Sequence, residues 1–147
     1  MEIAILGLGC FWGPEIKFSK LDGVIKTEVG YCGGNSSETT YKEVCTGTTN
    51  HAEVVKLDFD PKIISYEEIL KYFFKIHDPT TLNSQGPDFG TQYRSEIFYL
   101  NDQQKEISEK IIKEENVKFS GKIVTKVSVV KNYCPAEEYH QKYLEKR

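Results

Sequence analysis

Cys10 is the residue whose type and position most clearly indicate covalent chemistry. It follows an apolar run, Ile3 to Leu8, that predicts a buried strand, and Pro14 favours the first turn of a helix soon after it. The thiol would then lie at a helix N-terminus, where unpaired N–H groups and the positive end of the helix dipole favour a thiolate. This position suits a nucleophile, whereas the alternative is a small residue that packs a tight turn.

Glu53 is the candidate proton donor. If the segment up to Phe59 is extended, Glu53 shares a strand face with Val55 and Leu57, since alternate residues of a strand point the same way. Burial on that face would raise the pKa of the carboxyl group and keep it protonated near neutral pH, so that it could act as an acid. A strand-end glutamate in contact with water is the alternative.

The three histidines are weaker candidates for direct catalysis. His51 lies two residues before Glu53 and could approach that carboxyl group along an extended strand. His77 precedes a proline-containing loop that it could brace. His140 falls on the apolar face of a predicted helix, where a buried histidine with satisfied hydrogen bonds is the simpler interpretation.

Five apolar segments predict the strands that must position these side chains. They cover about 3–8, 24–31, 54–59, 93–100 and 123–130. In the last strand, alternation predicts that Ile123, Val127 and Val129 face inward.

Helices are predicted from periodicity and from capping residues. They cover about 11–20, the segment after a capping-box pattern that begins at Ser65, the segment from Asn101 to about 116, and a last helix opened by Pro135. Loops are expected at 33–50, with one helical turn near Tyr41, and at 78–90. This mixture indicates an α+β fold, with helices packed on a mainly antiparallel or mixed sheet.

The bulk composition indicates a single domain, residues 1–147, with one core. A net charge of −3 and a pI near 5.7 give no electrostatic argument for binding to nucleic acid or to an anionic membrane. No apolar run approaches the length of a membrane span and no secretory signal is recognised, so a cytoplasmic location is expected. The four cysteines lack the C-x-x-C spacing of a zinc or thioredoxin-type site. Their even number would allow disulfides, but without a secretory signal free thiols are expected.

Six segments, in order, resemble the motifs of the A-type peptide methionine sulfoxide reductases. They are GCFWG at 9–13, GYCGG at 30–34, HAEV at 51–54, HDPT at 77–80, GPDFGTQYRS at 86–95 and AEEYHQ at 136–141. The resemblance implies a two-layer α/β sandwich with a ferredoxin-like core and extra loops. It also implies a peptide-methionine (S)-S-oxide reductase, which repairs oxidised methionine, free or in proteins, through a sulfenic acid on the catalytic cysteine.

The resemblance also implies the roles of the site residues. Cys10 is the nucleophile, Glu53 the acid, and the hydroxyl groups of Tyr41 and Tyr93 bind the sulfoxide oxygen. Without the resemblance, two of nine tyrosines would be assigned to core or surface packing.

Three further residues match the substrate pocket of that family. Phe11 and Trp12 correspond to the apolar wall for the methyl group, although core packing is the alternative. Asp88 corresponds to a residue that helps to organise the site, and by itself it would be interpreted as a turn aspartate.

The resemblance does not identify the thiol that regenerates the catalytic cysteine. Many members of that family carry resolving cysteines in a C-terminal tail, whereas no cysteine follows Cys134 here. Cys32, Cys45 and Cys134 are the remaining thiols, and Cys134 is the possible resolving residue among them, because the family pattern has an aromatic at this position. A single catalytic cysteine is preferred, with no bound cofactor or metal and with an external thiol reductant, either glutaredoxin with glutathione or thioredoxin.

Three other interpretations are open. A cysteine hydrolase would use Cys10, His51 and Asp88 as a triad and would cleave activated esters. A thiol peroxidase would form the same sulfenic acid but consume peroxide. A non-catalytic interaction module would contain an unreactive Cys10.

Overall fold

A six-stranded sheet forms the centre of the computed structural model, which describes residues 1–146. The strands are β1 (Glu2–Leu8), β2 (Val24–Cys32), β3 (Ala52–Phe59), β6 (Ser95–Tyr99), β7 (Lys126–Val129) and β8 (Cys134–Pro135), while β4 (Ser84–Gln85) and β5 (Asp88–Phe89) form a separate small hairpin. The spatial order of the main sheet is β7-β6-β1-β3-β2-β8. Its neighbours are antiparallel except for β6 and β7, which are parallel.

The α-helices are α1 (Trp12–Ser19), α2 (Tyr41–Cys45), α3 (Tyr66–Lys75), α4 (Asp102–Glu115) and α5 (Tyr143–Lys146). The chain order β1-α1-β2-β3-α3-β6, with these strands arranged as β6-β1-β3-β2, is the split βαβ pattern of a ferredoxin-like fold. The α+β prediction is therefore confirmed.

Side-chain caps begin α3 and α4 at the positions that the sequence predicts. The Ser65 side chain accepts a hydrogen bond from the Glu68 N–H, and the Glu68 carboxylate accepts one from the Ser65 N–H, which completes a capping box. Asn101 caps α4 in the same way through the Gln104 N–H at 2.8 Å. These caps set the helices against the larger core.

The sheet separates two apolar clusters. The larger one includes Val55 and Leu57 on the face that α1 and α3 cover, and the smaller one includes Ala52 and Val54 on the other face. Because side chains alternate along β3, Glu53 points to the larger cluster. This alternation brings a carboxyl group to the helix side of the sheet.

Two strand boundaries differ from the sequence-based predictions. The strand expected from Tyr93 begins at Ser95, because Thr91–Tyr93 forms a 3₁₀ turn. The strand expected over 123–130 is limited to β7, and Val129 is 56% exposed rather than inward-facing because β7 lies at an edge of the sheet.

The helix expected from Pro135 is also wrong. Pro135 lies in β8 and pairs with Gly30, since the residue before a proline favours an extended backbone. The Gln141 side chain hydrogen-bonds both the N–H and the carbonyl of Val29 at 2.9 Å, so it extends the pairing along β2. A 3₁₀ turn at Glu138–His140 and then α5 complete the described chain.

Candidate active site

Cys10 lies at the junction between β1 and α1, as the sequence predicts. Gly9 precedes it with a φ of +99°, and a Cβ atom at Gly9 would lie 2.8 Å from Cγ of Gln85. The positive φ and the lack of room for a Cβ atom each favour glycine at position 9. Phe11 is the N-cap residue of α1, which begins at Trp12, so the thiol immediately precedes the first turn of the helix.

The thiol of Cys10 is half-buried and is protonated at neutral pH. Burial raises its pKa to about 11, and the charges of Glu53 and Asp88 add to the rise. A hydrogen bond from the Trp12 backbone N–H lowers the pKa, which is the effect expected at a helix N-terminus. Because burial outweighs this hydrogen bond, the expectation of a stabilised resting thiolate is wrong for the free protein.

Glu53 is a buried carboxyl group beside Cys10 and is 1% exposed. One of its oxygens accepts a hydrogen bond from the Phe11 N–H at 3.3 Å, and the other accepts one from Nε2 of Gln92 at 3.2 Å. Burial raises its pKa to about 7, against the lowering effect of these hydrogen bonds, and the charge of Asp88 adds to the rise. At neutral pH the carboxyl group is therefore partly protonated and able to donate a proton.

The raised pKa of Glu53 should make the protein less stable as the pH rises. Between the ordinary value of 4.5 and about 7, the unfolded chain loses this proton while the folded chain keeps it. The free energy of unfolding therefore falls through this window, by about 3 kcal/mol from this group. Glu53→Gln cannot ionise, so its stability relative to the parent should increase by that order from pH 4 to pH 8. Urea unfolding at each pH measures the difference.

The exposed Glu106 provides the matched control for this experiment. The free energy of unfolding of Glu106→Gln should match that of the parent at every pH, because the exposed Glu106 carboxyl group stays in contact with water when the chain folds. Parallel stability curves for Glu53→Gln and the parent would contradict a raised pKa at Glu53.

Tyr41 and Tyr93 place phenol groups in the same region. Tyr41 opens α2, where its N–H donates to a Glu137 carboxylate oxygen at 2.9 Å, and Tyr93 ends the 3₁₀ turn before β6. Burial raises the pKa of both phenols, to about 12 for Tyr93, and the charge of Glu53 contributes to both shifts. Both hydroxyl groups are therefore protonated donors at neutral pH.

Phe11 and Trp12 form an aromatic wall next to the thiol. The Phe11 ring is buried and lies 5.2 Å from the ring of His140. The half-buried Trp12 indole stacks on Tyr143 at 3.9 Å and donates its Nε1–H to Nδ1 of His140 at 3.0 Å. These contacts hold the two rings in a defined orientation, as a pocket for a small apolar group requires.

Asp88 lies in β5 of the small hairpin, and its charge acts on the same groups. Its charge contributes to the raised pKa values of Cys10, Glu53 and Tyr93, and such effects are strong at short range. The structure therefore brings together the residues predicted to act on the substrate, namely Cys10, Phe11, Trp12, Tyr41, Glu53, Asp88 and Tyr93.

Comparison with known proteins identifies the family. A family model described as peptide methionine sulfoxide reductase matches residues 2–147. The chain belongs to the peptide methionine sulfoxide reductase family. It is 82% identical to the reductase MsrA of Pelagibacter ubique, with both chains covered completely.

Solved structures of the reductase family share the fold. Reduced Mxr1 from Saccharomyces cerevisiae superposes with a TM-score of 0.96 at 44% identity, over 99% of this chain and 85% of Mxr1. Mxr1 has also been solved in complex with Trx2, where it matches 97% of this chain and 84% of its own length, with a TM-score of 0.70 at 29% identity.

Gln92 is a site residue of this reductase that sequence reasoning missed. It is buried, and its Nε2 donates to Glu53 and also to Sγ of Cys45 at 3.3 Å. The signal available in the sequence was its position within GTQYR, directly before Tyr93.

The histidines of the reductase have supporting contacts. His51 hydrogen-bonds the Ser36 carbonyl at 2.8 Å and packs over Gly34, so its ring is directed to the 33–50 segment rather than to Glu53. His77 braces the start of the 78–90 loop through the Phe73 carbonyl at 2.6 Å and Ser95 Oγ at 2.8 Å. His140 is buried as expected, but its hydrogen bonds are not all satisfied: Nδ1 accepts one from Trp12, whereas Nε2 has no hydrogen-bond partner within residues 1–146. The contact with Trp12 is not evident from the sequence.

The other thiols of the reductase differ in position. Cys134 directs its sulfur to the Thr39 carbonyl at 3.7 Å, and Tyr31 lies between Cys134 and Glu53 in the sheet. Cys32 is fully buried in the smaller cluster, on the opposite face. Within residues 1–146, no group of His, Cys, Asp or Glu side chains is arranged to hold a metal ion, and no helix has the length and apolar character of a membrane span.

Proposed function

We propose that this chain reduces the S epimer of methionine sulfoxide to methionine, with Cys10 as the nucleophile. The observation that carries the proposal is the pairing of Cys10 with Glu53, a buried carboxyl group with a pKa of about 7. A sulfoxide needs a sulfur nucleophile at its sulfur and an acid at its oxygen, and this pair supplies both.

The reaction begins when Glu53 protonates the sulfoxide oxygen and the Cys10 sulfur attacks the sulfoxide sulfur. The oxygen then bonds to the Cys10 sulfur as the S–O bond of the substrate and the new bond between the two sulfurs break, so methionine leaves and Cys10 becomes a sulfenic acid. The proton of the Cys10 thiol replaces the one that Glu53 donated. The substrate sulfur is reduced by two electrons and the cysteine sulfur is oxidised by two.

The surrounding residues favour the bound sulfoxide over water. Tyr41 and Tyr93 donate hydrogen bonds to the oxygen, where negative charge develops. Phe11 and Trp12 accept the methyl group, and Asp88 orients polar groups at the site. Glu53 is held in place by the Phe11 N–H and Gln92, so its proton is directed at a defined position.

An external thiol reductant completes the cycle, because the sulfenic acid must return to a thiol. The complex of Mxr1 with Trx2 supports a thioredoxin in this role, and glutaredoxin with glutathione is the second candidate. Free and protein-bound methionine sulfoxide are both substrates in this proposal, and residues 1–147 act as one catalytic domain without a bound cofactor or metal. The free thiols among the described residues fit a reducing compartment such as the cytoplasm.

The separated S and R epimers of a blocked methionine sulfoxide test the proposal, with dithiothreitol as the reductant. Methionine should form from the S epimer alone, since the acid and the methyl pocket have fixed positions. Equal turnover of both epimers would contradict the epimer assignment. No turnover of either would overturn the reductase proposal, and peroxide and ester substrates would then distinguish a peroxidase from a hydrolase.

A further inference from the structure

A buried ion pair that the proposed mechanism does not use lies on the face of the sheet opposite to Glu53. Arg94 donates from Nε to Oε1 of Glu96 at 2.6 Å, and both side chains are less than one-tenth exposed. The second oxygen of Glu96 accepts a hydrogen bond from Ser128 Oγ at 2.5 Å. Because side chains alternate along β6, Glu96 points to the same face as Phe98, which belongs to the smaller cluster. The ion pair therefore lies away from a sulfoxide bound beside Glu53.

The other donors of Arg94 hold two backbone carbonyl groups. One terminal nitrogen donates to the Asn50 carbonyl at 3.0 Å, and the other donates to the Thr91 carbonyl at 2.8 Å. Asn50 has a φ of +59° and lies two residues before β3, while Thr91 begins the 3₁₀ turn that ends at Tyr93. Because a planar guanidinium group donates in fixed directions, one side chain sets the start of β3 relative to this turn.

The two segments that Arg94 connects carry groups that meet at the carboxyl group of the proposed acid. Glu53 lies three residues after Asn50, and Gln92 follows Thr91 in the 3₁₀ turn. Nε2 of Gln92 donates to Oε2 of Glu53 at 3.2 Å. The length and direction of this hydrogen bond depend on how the turn lies against β3, and the two carbonyl bonds of Arg94 set that arrangement.

We propose that Arg94 is a positioning residue for the proposed reaction, because its two carbonyl bonds hold Gln92 in contact with Glu53. This inference rests on the proposed function, in which Glu53 donates the proton. The hydrogen bond from Gln92 stabilises the charged carboxylate and lowers the pKa of Glu53, against the larger effect of burial. Loss of the carbonyl bonds should therefore raise this pKa further and leave the carboxyl group less well aligned with the sulfoxide oxygen.

The charge of Arg94 acts on different groups from its carbonyl bonds. It lowers the pKa values of Cys32 and His51, whereas the pKa of Glu53 is shifted by burial, by two hydrogen bonds and by the charge of Asp88. The titratable groups that act on Glu53 or respond to its charge come from five different segments, and they are Cys10, Tyr31, Tyr41, Asp88 and Tyr93. A substitution that keeps the charge at position 94 therefore changes Glu53 through the position of the turn.

Arg94→Lys in the full chain tests the inference. Lysine keeps a positive charge beside Glu96, but its single nitrogen cannot replace the three guanidinium nitrogens that Arg94 uses. The pKa of Glu53 is measured by NMR on its ¹³C-labelled carboxyl carbon, whose signal is assigned by its absence in Glu53→Gln. In Arg94→Lys this pKa should rise from about 7 to about 8. The value of kcat/KM for the S epimer at pH 6 should fall about tenfold, because the acid is misaligned.

Glu96→Gln is the matched control, because it weakens the ion pair and leaves both carbonyl bonds of Arg94 in place. Its stability should fall, whereas the pKa of Glu53 and the value of kcat/KM should match those of the parent. Gln92→Met removes the donor itself and should raise the pKa of Glu53 as Arg94→Lys does. Adding Arg94→Lys to Gln92→Met should cause no further rise, because the bond through which Arg94 acts is already absent.

A second variant covers the case in which Arg94→Lys does not fold. Arg94→Met combined with Glu96→Leu removes both charges of the buried pair together, a replacement that often leaves stability unchanged. It also removes both carbonyl bonds, so the pKa of Glu53 should rise by the same amount as in Arg94→Lys.

The outcomes separate this inference from the proposed function. An unchanged pKa of Glu53 in the Arg94 variants, or an equal rise in Glu96→Gln, would overturn the inference and leave the proposed function standing. A further rise when Arg94→Lys is added to Gln92→Met would also overturn it, because Arg94 would then act by another route. Absence of methionine from the parent would overturn the proposed function and the inference with it.

Discussion

Replacing Cys10 by serine is expected to abolish methionine formation, with a loss of at least roughly 10³-fold in kcat/KM. A serine hydroxyl is a much weaker nucleophile than a thiol and has no accessible sulfenic state, so neither bond formation to sulfur nor storage of the oxygen is possible. The substitution changes one atom at the junction between β1 and α1. Dithiothreitol-driven reduction of the S epimer measures the effect.

Cys134→Ser is the matched control for this variant, because Tyr31 separates Cys134 from Glu53 in the sheet. With dithiothreitol in excess, this control should retain the activity of the parent. Thermal unfolding of both variants should resemble that of the parent. Retained turnover in Cys10→Ser would show that another residue is the nucleophile.

The parts of the site that sequence reasoning predicts are those set by local rules. Pro14 and the glycines around Cys10 mark a strand-to-helix junction, and the structure has that junction between β1 and α1. The alternation of β3 predicts that Glu53 shares the buried face of Val55, which its 1% exposure confirms. Both features depend on neighbours within a few residues along the chain.

The parts that the sequence does not reveal depend on contacts between distant segments. The indole of Trp12 meets His140 across 128 positions, and Gln92 meets Glu53 across 39. The segment after Pro135 has helical spacing, yet its Gln141 side chain bonds to the backbone of β2, and the segment forms a 3₁₀ turn instead of the expected helix. The raised pKa of Cys10 is likewise not evident from the sequence, because burial outweighs the helix N-terminus and burial depends on the whole fold.

Glu53→Gln is expected to lower kcat/KM for the S epimer by roughly 10²- to 10⁴-fold at pH 7 or below. Glutamine can still accept the hydrogen bond from the Phe11 N–H, but it has no acidic proton to give to the sulfoxide oxygen. The variant keeps Cys10, so a single turnover should still yield methionine, slowly. A control in the same assay is Glu106→Gln, which should match the parent.

The pH dependence separates this chemical role of Glu53 from a structural one. For the parent, the thiolate fraction of Cys10 rises with pH up to about 11, while the protonated fraction of Glu53 falls above about 7. Because the two changes cancel between these values, kcat/KM should rise about tenfold per pH unit below pH 7 and then level off.

In Glu53→Gln the levelling near pH 7 should disappear, because no carboxyl group is left to lose its proton. The rate should instead continue to rise with the thiolate fraction, and the difference from the parent should narrow by about tenfold per pH unit above pH 7. Removing the charge of Glu53 also removes one cause of the raised pKa of Cys10, which shifts the rise of the variant to lower pH. A constant ratio between variant and parent from pH 6 to pH 9 would instead indicate that Glu53 maintains the shape of the site and is not its acid.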